Sequence, residues 1–375
     1  MSNYATEKTN IMPRRGVECM LRDHLSESFE VSQDRFFPDL YKRCLKSGLL
    51  KQGAAAIQAE AEKMGVATSV EAVKMLAFLN LEGYRIQRGD TVAFFPCTVE
   101  ISEAKKNTLV ARMRKNFLEV DVVIPPYVGM GYLSRYAALI EKSSSREEQE
   151  SLIAEMLKEL YGEPLNLADL CVSYKLNPCI APFYDNIVEA IKAHFLGLRR
   201  ASVLTLIPCI EGVIRNLAEK VGRNIRDRID APSFLDVLGR VQKHYIKSVA
   251  LRGIAWVPSE LETVALFDQF HELLQMVESI RVFVEHAMYK HTADYDRSSQ
   301  LNRHGIVHGL LSDYNTETNF YRLIVLLNGL SVASIVAGHE ASLFHPEPTD
   351  EARKLASHFK SCMLSSSTIT PITRL

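Results

Sequence analysis

The sequence predicts a mainly α-helical protein with one small β element in its first third. Three observations carry this. Stretches after residue 183 place apolar side chains three and four apart, the spacing of one helix face. Only Tyr84 to Thr98 sets β-prone residues on both sides of a tight turn. Gly and Pro clusters, above all Gly162, Pro164, Pro178 and Pro182, punctuate the rest. At 375 residues and 47% apolar, the chain can bury a sizeable core in two or three domains.

Residues 1 to about 50 read as irregular helix with a polar start. Residues 53–83 read as two helices broken by Gly65, with Thr68-Ser69 as an N-cap ahead of Glu71. The hairpin follows, its arms flanking Arg88-Gly89-Asp90 and its second arm closed by Pro96. That tripeptide is read as a plain turn, since an adhesive role needs an extracellular protein. Asp121 to Tyr127 is extended, because its Pro-Pro pair bars helix. Helix then runs to Leu160, with a polar break from Lys142 to Glu148. These observations divide the chain into an α-rich domain at 1–160, a linker at 161–182, a helical domain at 183–340 and a tail at 341–375.

In the helical domain, Phe183–Arg199 repeats Ile187, Ile191, His194, Phe195 and Leu198. Ala201–Val221 aligns Leu204, Ile207, Ile210, Ile214 and Leu217 on one face. Ser233–Leu251 is a third helix, and Glu260–Tyr289 is the longest unbroken helical pattern. Asp313 to Thr316 supplies a turn and an N-cap for a last long apolar helix, Glu317–Val336, which Gly338 closes. The tail is expected to hold one short helix and a Ser/Thr-rich end.

Lys+Arg (44) nearly cancel Asp+Glu (45), which argues against a protein that coats nucleic acid but leaves room for a local basic site. Seven cysteines form no CxxC pair and fit neither a zinc knuckle nor a secreted disulfide framework. The polar N-terminus has no signal-peptide core, and no uncharged apolar run reaches 18 residues. The expectation is a cytoplasmic, soluble protein with no membrane partner. A P-loop, a dinucleotide glycine fingerprint and GxSxG are all absent, which counts against ATPases, Rossmann enzymes and α/β-hydrolases.

The most informative stretch is Asn302-Arg303-His304-Gly305-Ile306-Val307-His308-Gly309. Arg is a permanent cation with a planar fork for phosphate. His trades protons near neutral pH. Arg followed closely by His also occurs at Arg281/His286, Arg297/His304 and Arg353/His358. Arg281/His286 lies in an apolar helical run, and Arg353/His358 sits among lysines on the tail. Arg303/His308 differs in its polar and small neighbours. Glycine in a helix costs about 1 kcal/mol relative to Ala, so Gly305 and Gly309 predict close approach by a ligand or a second subunit. On one helix Arg303 and His308 point about 140° apart, so the helix begins near Arg303 or the two residues act from different subunits.

This segment resembles the HEPN family, named for higher eukaryotes and prokaryotes nucleotide-binding. The family signature is Arg, then Asn, His or Asp, then a few residues, then His, at the start of a late helix in a helical bundle. Arg303-His304-Gly305-Ile306-Val307-His308 fills it, and Gly309 follows as in abortive-infection-type members. Ala201–Arg215 is similar to the family's early helix with a Glu on an apolar face. The resemblance covers about Phe183–His339; residues 1–160 match nothing named here.

The resemblance implies an endoribonuclease that needs no metal or other cofactor and works at a homodimer interface, in a toxin or antiviral-defence role. RNA would be the substrate, and an antitoxin or regulatory protein a possible further partner. Arg303 and His308 would be catalytic. Asn302 and His304 would orient the site or touch substrate. Glu211 either orients a motif residue or forms an ordinary helix pair with Arg215. Two other readings compete. A non-catalytic HEPN-like dimer would bind RNA, a nucleotide or a protein. A metal-dependent hydrolase would use His304 and His308, spaced i,i+4, with Asp313, His339 or Glu340 as third ligand. Basic residues at Arg223, Arg226, Arg228, Arg240, Lys243 and Lys247, and the single Trp256, give modest further support for a nucleic-acid surface.

Overall fold

The computed structural model describes residues 35–75, 81–101, 106, 108–225, 229–341 and 348–369. Among them are fourteen helices and a three-stranded antiparallel sheet. Helices α1 (Phe36–Lys46) and α2 (Ala54–Lys63) precede the meander β1 (Ser69–Met75), β2 (Leu81–Arg88) and β3 (Thr91–Pro96). Helices α3 (Thr108–Glu119), α4 (Met130–Lys142), α5 (Arg146–Tyr161) and α6 (Pro164–Leu176) follow. Then come α7 (Tyr184–Phe195), α8 (Arg199–Lys220), α9 (Ala231–Tyr245), α10 (Val264–Phe267) and α11 (Glu272–Phe283). The last are α12 (Arg303–Val307), α13 (Glu317–Val336) and α14 (Asp350–Ile369).

The β2–β3 hairpin forms around Gly89, which takes a left-handed φ of 54°. The expected helix over 69–75 is instead β1, paired with β2 from Ser69↔Gln87 to Met75↔Leu81. Val70 and Val73 suit a pleated surface, and the edge of β2 offers a ladder that a local capping signal cannot outweigh. The sheet separates two cores. On β3, Phe94 points into the main helical core, while Ala93 and Phe95 pack on α1 and α2. Trp256 joins this smaller core, and its carbonyl accepts from Phe94 N at 3.0 Å. Its ring lies edge-on to Tyr41 and Phe95, so it anchors a loop on the sheet.

The main core forms around α13, which is buried almost all round. Thr316 caps its start by accepting from Asn319 N, and Gly338 ends it at a φ of 85°. Helices α8 and α13 are long and apolar enough to cross a membrane, although Glu211, Arg215 and Arg322 sit within them. Their apolar windows are 67% and 94% buried inside the protein. The face expected on α8 is buried at Ile207, Ile210, Ile214 and Leu217, but Leu204 is exposed.

The stretch at 161–182, expected to be a linker, contains α6, whose Leu167, Ala168, Cys171 and Tyr174 lie in the main core. Pro164 occupies the first helical turn, where its missing N–H costs nothing. The run expected to be one helix at Glu260–Tyr289 is broken. Thr263 caps the short α10, and Asp268 leaves the helix to grip the Arg114 fork at 2.5 and 2.9 Å. Residues 284–288 close the run as a π turn. The tail is more than a short surface helix. Ala352 and Phe359 of α14 are fully buried, and Lys175 pairs with Glu351 at 2.8 Å.

Candidate functional site

The Arg/His segment is a short helix clamped at both ends. Asn302 is the N-cap: its Oδ1 accepts from Gly305 N at 2.9 Å. Its Nδ2 donates to the carbonyls of Lys290 (2.7 Å) and Ala287 (3.4 Å). Asn302 is fully buried, so its amide holds α12 against the end of the π turn. Three bonds to the protein leave it no role at a substrate's surface.

At the other end, Gly309 N donates to Ile306 O at 3.2 Å and Leu310 N to Gly305 O at 2.8 Å. With Gly309 at a φ of 71°, this is a Schellman motif, which demands a left-handed residue. A Cβ on Gly305 would stand 2.7 Å from Leu311 Cδ1. Both glycines therefore serve the chain's own path. The close approach expected from a ligand or second subunit is made by Leu311.

Because α12 begins at Arg303, that side chain leaves the helix toward α8. Arg303 Nε donates to Glu211 Oε1 at 2.6 Å, and Tyr289 OH donates to the same oxygen at 2.9 Å. Glu211 is thus an orienting carboxylate shared by a guanidinium and a phenol. The Glu211 hydrogen bond holds the Arg303 pKa up, against partial burial. Burial, with the Glu211 charge behind it, pushes the Tyr289 phenol up. Arg215 lies one turn beyond Glu211, half-buried, and its charge reaches Tyr289. Among the described residues no other partner holds the outer nitrogens of Arg303, whose side chain is 24% exposed.

His304 and His308 stand on the opposite, open side. Both are exposed, with ring centroids 4.3 Å apart and planes inclined by 51°. The exposed side chains of Val307 and Leu310 flank them. The fold thus joins Arg303 to Glu211, and His304 to His308, at the two ends of one short helix. Among the described residues no group of three His, Cys, Asp or Glu side chains could hold a metal ion, so the two imidazoles have no third ligand there.

The other basic features are largely neutralised. Arg223 and Arg240 share Asp236, and Lys247 faces Glu262. Arg226 and Arg228 lie outside the described residues. Arg281 pairs with Glu278, and Arg297 faces the buried Asp121. Tyr289 is the site residue that sequence reasoning missed. It reads as the last residue of an apolar helical run, and nothing local marks a phenol aimed at Glu211. Comparison with family models, curated proteins and solved structures gives no match.

Proposed function

We propose that this chain is an endoribonuclease of the HEPN kind, cutting RNA without a metal at a site completed by a second copy. The observation that supports it best is Arg303, fixed through Nε by Glu211, on the same short helix as two exposed, touching imidazoles. A guanidinium fixed through Nε keeps its outer N–H groups for phosphate oxygens. RNA carries its own nucleophile. One imidazole takes the 2′-OH proton as the oxygen attacks phosphorus, and another protonates the departing 5′-oxygen. The products are a 2′,3′-cyclic phosphate and a free 5′-hydroxyl. Arg303 stabilises the charge gathering on the phosphorane oxygens. Arg303 and the imidazoles leave α12 in different directions, so two copies facing each other bring an Arg of one to the His pair of the other. A role in growth arrest or antiviral defence, with an antitoxin or regulatory partner, follows from the family resemblance alone.

A second reading, a non-catalytic binding module, draws on exposed Val307 and Leu310 beside the imidazoles. Cleavage of labelled total RNA by the purified protein in EDTA separates these. Arg303→Ala is expected to cut the rate about 10²–10³-fold, and His308→Ala about 10²–10⁴-fold, with folding and dimerisation retained. No cutting by the wild-type protein favours the binding module. Cutting abolished by EDTA overturns the metal-free mechanism.

A further inference from the structure

Three cations converge on a cavity beside the loop that delivers Arg303. The cavity holds about 300 Å³ and is lined by Glu119, Arg146, Gln149, Lys290, Asp296 and Arg297. Two of the cations are anchored from behind. Arg297 Nη1 donates to the Leu118 carbonyl at 2.9 Å and faces Asp121 at 3.3 Å. Arg146 Nε donates to Ser298 Oγ at 3.1 Å, and Ser298 donates onward to Glu150 at 2.7 Å. The remaining nitrogens of both forks have no other partner among the described residues. Lys290 is held by Asp296, whose side chain is 77% exposed, so solvent weakens that pair.

The carboxylate of Glu119 completes the set. It is exposed and makes no ion pair among the described residues. A carboxylate repels phosphate, but it accepts well from a ribose hydroxyl. Anchored guanidinium forks suit phosphate oxygens, two N–H groups to one anion. Phosphate donors on one wall and a free hydroxyl acceptor on another are the two halves of a ribonucleotide unit. A deoxyribonucleotide lacks the hydroxyl, and an acidic peptide lacks the pairing.

The cavity shares its backbone with the Arg/His segment. Lys290 lines the cavity with its side chain, while its carbonyl accepts from Asn302 Nδ2 at 2.7 Å. Arg303 is the next residue. We infer that this cavity is a subsite for a ribonucleotide of the same RNA strand that the Arg303/His308 site engages. It rests on the ribonuclease reading and adds where a flanking nucleotide is held.

The test is binding of a short single-stranded RNA, and of its all-deoxy counterpart, to protein carrying His308→Ala so that no cutting occurs. Lys290→Ala, Arg146→Ala and Glu119→Gln are then added singly, each checked by thermal unfolding. Lys290 is 30% exposed, so its truncation leaves the fold intact. Lys290→Ala and Arg146→Ala are each expected to weaken RNA binding about tenfold and to lower the salt slope by about one. Glu119→Gln is expected to narrow the preference for RNA over DNA about fivefold, with little change for DNA. Unchanged RNA binding in both cation variants would overturn the subsite. So would a free ribonucleoside monophosphate that saturates the cavity without competing with RNA, since the ligand would then be a free nucleotide. Cleavage by the otherwise wild-type chain and by Lys290→Ala is followed in parallel. Cutting that persists with unaltered binding overturns the subsite and leaves the nuclease standing. A wild-type chain that neither binds nor cuts RNA overturns both.

Discussion

Glu211 decides what Arg303 can do. One carboxylate oxygen receives both the guanidinium and the Tyr289 phenol, so the fork is aimed before any phosphate arrives. A hydrogen bond to a charged group contributes about 1.5–3 kcal/mol. Glu211→Gln is therefore expected to keep the fold but lower single-turnover RNA cleavage about 10–100-fold, with a smaller loss for Tyr289→Phe. Equal rates in wild type and Glu211→Gln would mean that the carboxylate does not aim Arg303. Arg303 and His308 were legible from their types and spacing, and Glu211 from its place on an apolar face. Tyr289 was not, because its value lies in a contact 78 positions away. His194 is another residue whose setting was hidden. Its ring stacks on Phe320 at 3.9 Å, its Nε2 lies 3.3 Å from Tyr321 OH, and burial, helped by the Arg199 charge, lowers its pKa to about 3. The unfolded chain binds this proton near pH 6.5, so the associated stability is full above that pH and is lost as pH falls toward 3. Burial raises the Asp121 pKa, which acts with the opposite sign but equally in both proteins compared. Between pH 7 and pH 5, wild type is expected to lose about 2 kcal/mol more than His194→Gln in denaturant titrations. Parallel pH profiles would show that His194 is not held neutral.

At the scale of the element, α12 is too short to stand alone, and its stability comes from its ends. Asn302 supplies the start and the Gly309 turn supplies the stop. This explains why composition misled about the glycines. A left-handed turn and a close side chain both ask for Gly, as a ligand would, and the sequence does not distinguish these causes. The contact with Leu311 makes a sharp prediction. Gly305→Ala adds a methyl where Leu311 already sits 2.7 Å away, and overpacking of this kind costs about 1–3 kcal/mol. Leu311→Ala in the same chain is expected to recover much of that loss, a favourable coupling in a double-mutant cycle of thermal unfolding. Additive losses would show that Leu311 does not cap Gly305. Elsewhere, elements were legible where local signals and tertiary partners agreed. The β2–β3 hairpin had its turn residues, and α13 had its cap, its apolar run and its closing Gly. Strand β1 had a helix-like local pattern and was decided by the free edge of β2. The break at Asp268 was decided by Arg114, 154 positions away.

For the whole molecule, the question is whether the part that carries the Arg/His site can stand without the part before it. The Gly and Pro residues at 161–182 suggested a seam, because a Pro at a helix start and a Pro in a linker look alike in sequence. The packing shows no seam there. The main core runs from Phe94 to Phe359, and α5 and α6 cover faces of α13. Arg322 sharpens the point. It sits on α13 at 2% exposure, donating Nε and Nη2 to the Val120 carbonyl at 3.1 and 2.8 Å, with Nη2 also 2.6 Å from Glu150. Val120 and Glu150 both precede residue 161. A fragment of residues 183–375 keeps the guanidinium and loses both partners. Leaving one member of a buried ion pair alone costs about 3–5 kcal/mol, against a total stability of about 5–15 kcal/mol for a typical domain. The same cut strips apolar neighbours from α13, which has no polar face to offer water. The fragment is therefore expected to aggregate or to show no cooperative unfolding transition, while the full chain melts cooperatively. Adding Arg322→Met to the fragment removes the stranded charge but leaves the bare apolar faces, so it is expected to rescue little. A soluble 183–375 fragment with a sharp transition would show that the site rides on an independent domain, and that the contacts across residue 161 are dispensable.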